Sequence, residues 1–271
     1  MSAAPLLAVS GLTVAFGGLV AVNDLTMEVA EGAVHGLIGP NGAGKTTAFN
    51  LISGLYRADR GGILLGGVDL AGRSTWERAG AGLARTFQNI RMFAEMTALE
   101  NVMTGAHRRT QAGFAACLLR TPGFRDAERS AVAHATKLLA LVGLAEAAHR
   151  QAGGLPYGDQ RRLEIARALA SDPKLLMLDE PAAGMNPSET TDLVELLVEL
   201  KERGVTLLIV EHDMHFIMRL CDRITVLNFG RVIAEGPPAA IRRDPAVIEA
   251  YLGAAVAQSL EAGAHVPGPG A

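Results

Sequence analysis

Residues 39–46 read GPNGAGKT, the spacing G-x-x-x-x-G-K-[ST]. Every part of that spacing suits one task, the holding of a polyphosphate. Gly39, Gly42 and Gly44 let backbone N–H groups close on an anion with no Cβ in the way, while Pro40, Asn41, Ala43 and Thr47 complete and flank the loop. Lys45 brings a cation to the β- and γ-phosphates, and the Thr46 hydroxyl is placed to bind Mg2+. The context matters more than the letters. The apolar run AVHGLIG (33–39) reads as a strand delivering the loop, and TAFNLISGL (47–55) as a helix whose N-terminus faces the phosphates.

Acidic chemistry sits at the end of a second apolar run, LLMLDEP (175–181). Asp179 is suited to Mg2+, often through water, and Glu180 to polarising a water that attacks phosphorus. His212 follows a third run, LLIVE (207–211), on the ligand edge of an open sheet, where it suits a γ-phosphate contact.

The elements that position these groups follow from the pattern. Runs at 33–39, 174–180 and 205–211 are short and nearly continuous in apolar character, as strands buried on both faces of a parallel sheet must be. RITVLNFGR (223–231) adds a strand and a Gly-containing turn. The stretch 188–204 places Leu193, Leu196, Leu197 and Leu200 on one helical face, with Gly204 as its stop. Strands alternating with such helices imply an α/β fold. The middle differs: residues 127–143 line up Val132, Ala135, Leu138 and Val142 before Gly143, which reads as a helical insertion. Near the N-terminus, LTVAFGG, LTMEVAEG and GGILLGG alternate strand and turn, an antiparallel edge. The small-residue-rich tail ending in Gly and Pro reads as disordered.

The order of these elements resembles the nucleotide-binding subunit of an ABC transporter over nearly all of residues 7–253. The resemblance implies a P-loop NTPase (RecA-like) α/β core with an N-terminal antiparallel β subdomain. It also implies an inserted α-helical subdomain at about 90–160, a C-terminal extension at about 232–253, and a tail at 254–271. Phe16, in VAFGG, matches the aromatic that stacks on the adenine of ATP. Gln88, in RTFQNIRMF, matches the glutamine that senses Mg2+ and the attacking water and links the site to the insertion. DEPAAGMNP (179–187) matches the acidic strand end plus the D-loop, and His212 the switch histidine.

LPYGDQ (155–160) occupies the signature position, where Pro156, Tyr157, Gly158 and Asp159 would face ATP held by a second subunit. Two positions depart from the family. Asn186 replaces the D-loop aspartate, keeping hydrogen-bonding shape and losing charge. Pro156 replaces a serine, removing a hydroxyl contact of about 1–3 kcal/mol. Proline suits the first turn of a helix, so the N-terminal dipole near Gly158 survives, while Asp159 adds negative charge.

Within the family, RTFQNIRMFAEMTALENV, AAGMNP and GRVIAEGPPAAIRRDPAVIEAYLG look most like the larger ATPase subunit of branched-chain amino-acid importers. The lipopolysaccharide-exporter ATPase shares parts of this wording. The resemblance implies membrane permease subunits, a second ATPase subunit in a homo- or heterodimer with ATP sandwiched between, and, indirectly, a periplasmic substrate-binding protein. It places the chain in the cytoplasm on the inner face of the membrane. Ile90, Met92, Phe93 and Met96 suit either the core of the insertion or a groove for a permease helix.

Bulk properties narrow the alternatives. The chain has 271 residues, is 49% hydrophobic and carries a net charge of −3, with no basic footprint for nucleic acid. Cys117 and Cys221, its two cysteines, read as reduced thiols. No stretch reaches the roughly 18 apolar residues of a membrane span, and the N-terminus lacks the features of a signal peptide. ABC ATPases of DNA repair or translation usually fuse two halves or carry long coiled-coil or basic insertions, and this sequence shows one half and neither insertion. A regulatory module without turnover is disfavoured by the intact Glu180.

Overall fold

Three five-residue strands, β3 (Val34–Ile38), β7 (Leu175–Asp179) and β8 (Thr206–Val210), are buried at every position. They belong to a computed structural model that describes residues 4–86, 90–106 and 122–252. Gln88, Cys117 and the tail 254–271 lie outside the described residues. Together with β6 (Leu83–Arg85) and β9 (Arg223–Asn228) the three strands form the parallel part of a six-stranded sheet, order β10-β9-β3-β8-β7-β6. The last strand, β10 (Arg231–Gly236), pairs antiparallel with β9 at the edge.

Period-two alternation makes each central strand serve two cores. Leu37, Leu175, Met177, Leu208 and Val210 face one. Ile38, Leu176, Leu178, Leu207 and Ile209 face the other. That double duty explains the continuous apolar runs.

The first core is closed by an antiparallel sheet of order β2-β1-β4-β5, built from β1 (Leu7–Phe16), β2 (Leu19–Val29), β4 (Arg60–Leu65) and β5 (Val68–Asp69). Helix α1 (Lys45–Ser53) contributes Ala48, Phe49, Leu51 and Ile52 to the same cluster. Its last carbonyls are satisfied from α2 (Thr75–Ala81), where the buried Arg78 donates Nη1 to Leu51 O at 2.6 Å and Ile52 O at 2.7 Å.

Helices close the second core: α3 (Ala98–Gly105), α4 (Pro122–Leu141), α5 (Tyr157–Leu169), α6 (Pro187–Glu202), α7 (Met214–Leu220) and α8 (Pro238–Ile241). In α6 the expected Leu193, Leu196, Leu197 and Leu200 are all buried, and Gly204 follows with a left-handed φ of 85°. The apolar face around α4 is rotated from expectation. Ala135 and Val142 are buried, Val132 and Leu138 only half so, and Leu139 is fully inside. Helices α2, α3 and α6 begin with reciprocal capping boxes, Ser74–Glu77, Thr97–Glu100 and Asn186–Glu189. Among the described residues, no helix is long and apolar enough to cross a membrane.

Candidate functional site: a phosphate loop at the sheet edge

Strand β3 ends at the Gly39 loop, and backbone crowding there decides the residue types. A Cβ on Gly39 would lie 2.1 Å from Leu227 O, and one on Gly44 would lie 2.5 Å from Ala21 O. Both also take positive φ, 153° and 98°. Gly44 is the N-cap of α1 and has no side chain to occupy the first-turn N–H groups, which remain for an anion. Asn41, Gly42 and Thr46 are exposed on this face, with Thr47 half-buried beside them. Lys45 is buried, and its Nζ donates to Gly39 O at 2.7 Å and Pro40 O at 2.9 Å. Burial lowers its pKa, opposed by the charge of Glu180. The ammonium thus sits inside the curve of the loop, encircled by the backbone a polyphosphate would share.

Sheet register brings the carboxylates to the same edge. Asp179 pairs with Val210, and Val210 with Leu37. At about 4.8 Å per strand, Asp179 stands about 10 Å across from the end of β3. Its Oδ2 accepts from Arg85 Nη2 at 2.7 Å; burial pushes its pKa up and Arg85 pulls it back. Glu180, one residue on, turns the chain off the edge with a φ of 45°, a strained value for a residue with a side chain. Its N–H donates to Val210 O at 2.8 Å, which holds that turn.

His212 brings Nδ1 to 4.0 Å from Glu180 Oε1 and 3.6 Å from Glu211 Oε2. Glu211, which sequence reading passed over, is buried and organises this corner. Its Oε1 accepts from Ala182 N at 2.9 Å and its Oε2 from His212 N at 3.0 Å. Burial raises its pKa against those bonds. A glutamate directly after a fully apolar strand was the available signal.

The stretch 155–160 opens α5. Pro156 is the N-cap and not, as expected, within the first turn; Tyr157 is the first helical residue. Pro156 O accepts from Gln160 N at 3.0 Å, and no side chain caps the helix. The Tyr157 side chain turns to its own D-loop, donating to Ala183 O at 3.0 Å and accepting from Arg161 Nη2 at 3.0 Å. Asp159 pairs with Arg162 at 3.0 Å, which offsets the charge it adds. Asn186 caps α6, its Oδ1 accepting from Glu189 N at 3.0 Å. The replacement of aspartate there keeps a structural bond.

Beside the phosphate loop lies an open apolar groove lined by Phe16, Leu19, Val20, Ala21 and Phe229. Phe16 also meets Tyr56 edge-on at 5.4 Å. Phe229, unnoticed in the sequence, is 83% exposed and has a φ of 45°. The turn that presents it is fastened by Gly230 N to Ala43 O at 2.9 Å and Asn23 N to Gly230 O at 2.8 Å. The loop, both carboxylates, His212 and Phe16 therefore share one end of the molecule, whereas Gln88 lies outside the described residues.

The ABC transporter family profile matches residues 22–183, more than half of the chain. The chain belongs to the ABC transporter family. A profile described as branched-chain amino acid ATP-binding cassette transporter matches residues 231–257 of the cassette. The high-affinity branched-chain amino acid transport ATP-binding protein BraF of Pseudomonas aeruginosa is 51% identical over 252 residues, 93% of this chain and 99% of BraF. LivG of Salmonella typhimurium, of the same description, is 50% identical over equal shares. The crystal structure of the ADP conformation of MJ1267, an ATP-binding cassette of an ABC transporter, superposes with a TM-score of 0.81. It is 32% identical, covering 93% of this chain and all 100% of that one.

The donor set fits Mg2+. Thr46 and Asp179 offer hard oxygen ligands, and no group of three or more His, Cys, Asp or Glu side chains is placed for a metal among the described residues. A cation that keeps several waters and takes phosphate oxygens suits such a sparse site.

A second concavity of the cassette, about 600 Å³, lies between α1, α2, β6, α3 and α5. Trp76 and Phe93 line it and are 63% and 52% exposed. Met96 is also exposed, while Met92 packs on the helical core. Of the residues expected in either the insertion core or a groove, Met92 packs on the core, while Phe93 and Met96 do not.

Proposed function

We propose that the cassette is the ATP-hydrolysing subunit of a membrane importer for branched-chain amino acids. The match of 231–257 to the branched-chain amino acid family carries the substrate assignment, because none of the candidate phosphate-loop, acidic, histidine or signature residues falls within it. It favours import over the lipopolysaccharide export that parts of the sequence also resemble.

In this reading the first-turn N–H groups of α1 and Lys45 bind the phosphates, and Phe16 stacks on adenine. Thr46, Asp179 and Gln88 hold Mg2+, which when bound neutralises charge on the phosphate oxygens. Glu180 takes a proton from the water that attacks the γ-phosphorus as the bond to ADP breaks. His212 donates to the γ-phosphate and Gln88 senses the water. The N–H groups of Tyr157, Gly158 and Asp159 face ATP held by a second subunit. The apolar groove beside Trp76 receives a cytoplasmic helix of a permease, which keeps the cassette on the inner membrane face. A periplasmic binding protein delivers the amino acid.

The test is reconstitution with the membrane subunits. Leucine uptake should require the cassette, and Glu180→Gln should bind ATP, form a stable dimer and lose turnover. Undiminished turnover in that variant rejects the reading.

A further inference from the structure

The Arg85 guanidinium bonds the candidate metal carboxylate, and Arg85 also belongs to the wall of the groove beside Trp76. It leaves the short edge strand β6, which runs parallel to β7 with Arg85 opposite Met177. Nη2 donates to Asp179 Oδ2 at 2.7 Å, while Nη1 donates to Asn50 Oδ1 at 2.7 Å and Ser53 Oγ at 2.8 Å. The planar cation lies over the Phe49 ring, 4.9 Å from its centroid. Side-chain exposure is 9% for Arg85 and 5% for Asp179, so water does little of the work of orienting either. Asn50, Ser53 and Phe49 all belong to α1, the helix that begins at the phosphate loop. Arg85 also lines the groove with Trp76 and Phe93.

Charge neutralisation alone needs one contact. A guanidinium held at Nη1 by two acceptors and stacked on a ring has its position set before Nη2 meets Asp179. We propose that Arg85 is a positioning residue that fixes the Asp179 carboxylate for the metal of the ATP site and ties it mechanically to the groove. The inference rests on the ATPase reading above. Holding Oδ2 fixes the plane of the carboxylate and directs Oδ1 to the other side, as outer partners of ligating carboxylates do. Because the same side chain forms part of the groove wall, a helix seated there acts on that orientation through Arg85.

The test measures ATP binding by the purified full-length chain, first in EDTA and then during a Mg2+ titration. Binding in EDTA reports the loop and Lys45, so its absence from the wild type would overturn the ATP-site reading itself. Against that baseline, Arg85→Gln should bind ATP in EDTA within twofold of wild type. The Mg2+ concentration at half of the metal-dependent gain should rise at least about tenfold. Arg85→Lys, which keeps the charge and loses the fork, should shift it by a smaller factor in the same direction. Ser53→Ala removes one anchor and leaves the ion pair, which keeps the test open if Arg85→Gln fails to fold. It should raise the Mg2+ midpoint about threefold. Trp76, the single tryptophan, serves as the groove probe. Its emission should respond to Mg2+ with ATP in the wild type and lose that response in Arg85→Lys. Unchanged Mg2+ midpoints in Arg85→Lys and Ser53→Ala would overturn the proposal. A Trp76 response surviving in Arg85→Lys would overturn the link to the groove.

Discussion

Glu211 reaches across from the end of β8 to accept the backbone N–H of Ala182 at 2.9 Å, bridging His212 and the segment after Glu180. Its second oxygen accepts from His212 N, so one buried carboxylate sets the spacing of two catalytic candidates. Glu211→Gln retains one acceptor oxygen and cannot serve both sides. ATP affinity should stay within twofold, since the Lys45 loop is untouched. The turnover number should fall about ten- to a hundredfold through misplacement of Glu180 and His212. Equilibrium nucleotide binding and steady-state phosphate release on the same preparation check this pair of outcomes.

His35 gives the cassette a defined pH dependence of stability. It is buried inside β3, with Nε2 2.8 Å from Thr225 Oγ1, and burial followed by Arg223 lowers its pKa from 6.5 to about 4. Between those values the unfolded chain binds a proton that the folded chain refuses, so stability rises with pH across that window. The stabilisation is complete above 6.5 and is lost as pH falls towards 4. At about 1.4 kcal/mol per unit, the full span approaches about 3 kcal/mol. Denaturant midpoints at pH 7.5, 6 and 5 should fall more steeply for wild type than for His35→Leu; parallel slopes would remove His35 as the cause.

The site was legible where the chain pattern and the chemistry coincide. Fully buried strands must be apolar throughout, so β3, β7 and β8 announced themselves, and with them Gly39–Thr46, Asp179, Glu180 and His212. What escaped notice depends on contacts between distant segments. Three-residue β6 has no apolar run to mark it, and Arg85 gains its meaning only when register places it against β7. Phe229 looks like any strand-end aromatic until Gly230 is bonded to Ala43. Glu211 is only the last residue of an apolar run in the sequence, and its burial comes from the fold. On α4 the face was misjudged by one position, because Leu139 and Leu138 are neighbours in sequence and only packing chooses between them.

In the proposed transporter, the groove beside Trp76 separates coupling from chemistry. Phe93 and Trp76 are exposed there, so Phe93→Ser and Trp76→Ser should each change stability by less than about 0.5 kcal/mol. Hydrolysis by the isolated cassette should be unchanged. Uptake by the reconstituted transporter should drop at least about tenfold if a permease helix seats on these rings. Met92→Ser is the contrasting control: Met92 packs on the helical core, so its loss should destabilise by about 1–3 kcal/mol. Paired uptake and ATPase measurements, with thermal melts of each variant, distinguish the two behaviours.

Pro156→Ser tests the altered signature. The backbone at Pro156, φ −53° and ψ 153°, is the extended conformation that N-cap serines adopt, so the substitution needs no rearrangement. A serine oxygen there can accept from the backbone N–H of Asp159, in a helix that now lacks a side-chain cap. In the monomer this should stabilise the fold by about 1 kcal/mol. In the closed dimer the same hydroxyl can turn from the cap to the γ-phosphate, so part of the gain is exchanged and not added. The expected result is a higher Tm together with tighter ATP-driven dimerisation, by about three- to thirtyfold for a bond of this class. A higher Tm with unaltered dimerisation would mean that the hydroxyl serves only the helix. The N–H groups of Tyr157, Gly158 and Asp159 would then suffice for closure, and the proline would cost the cassette nothing in function.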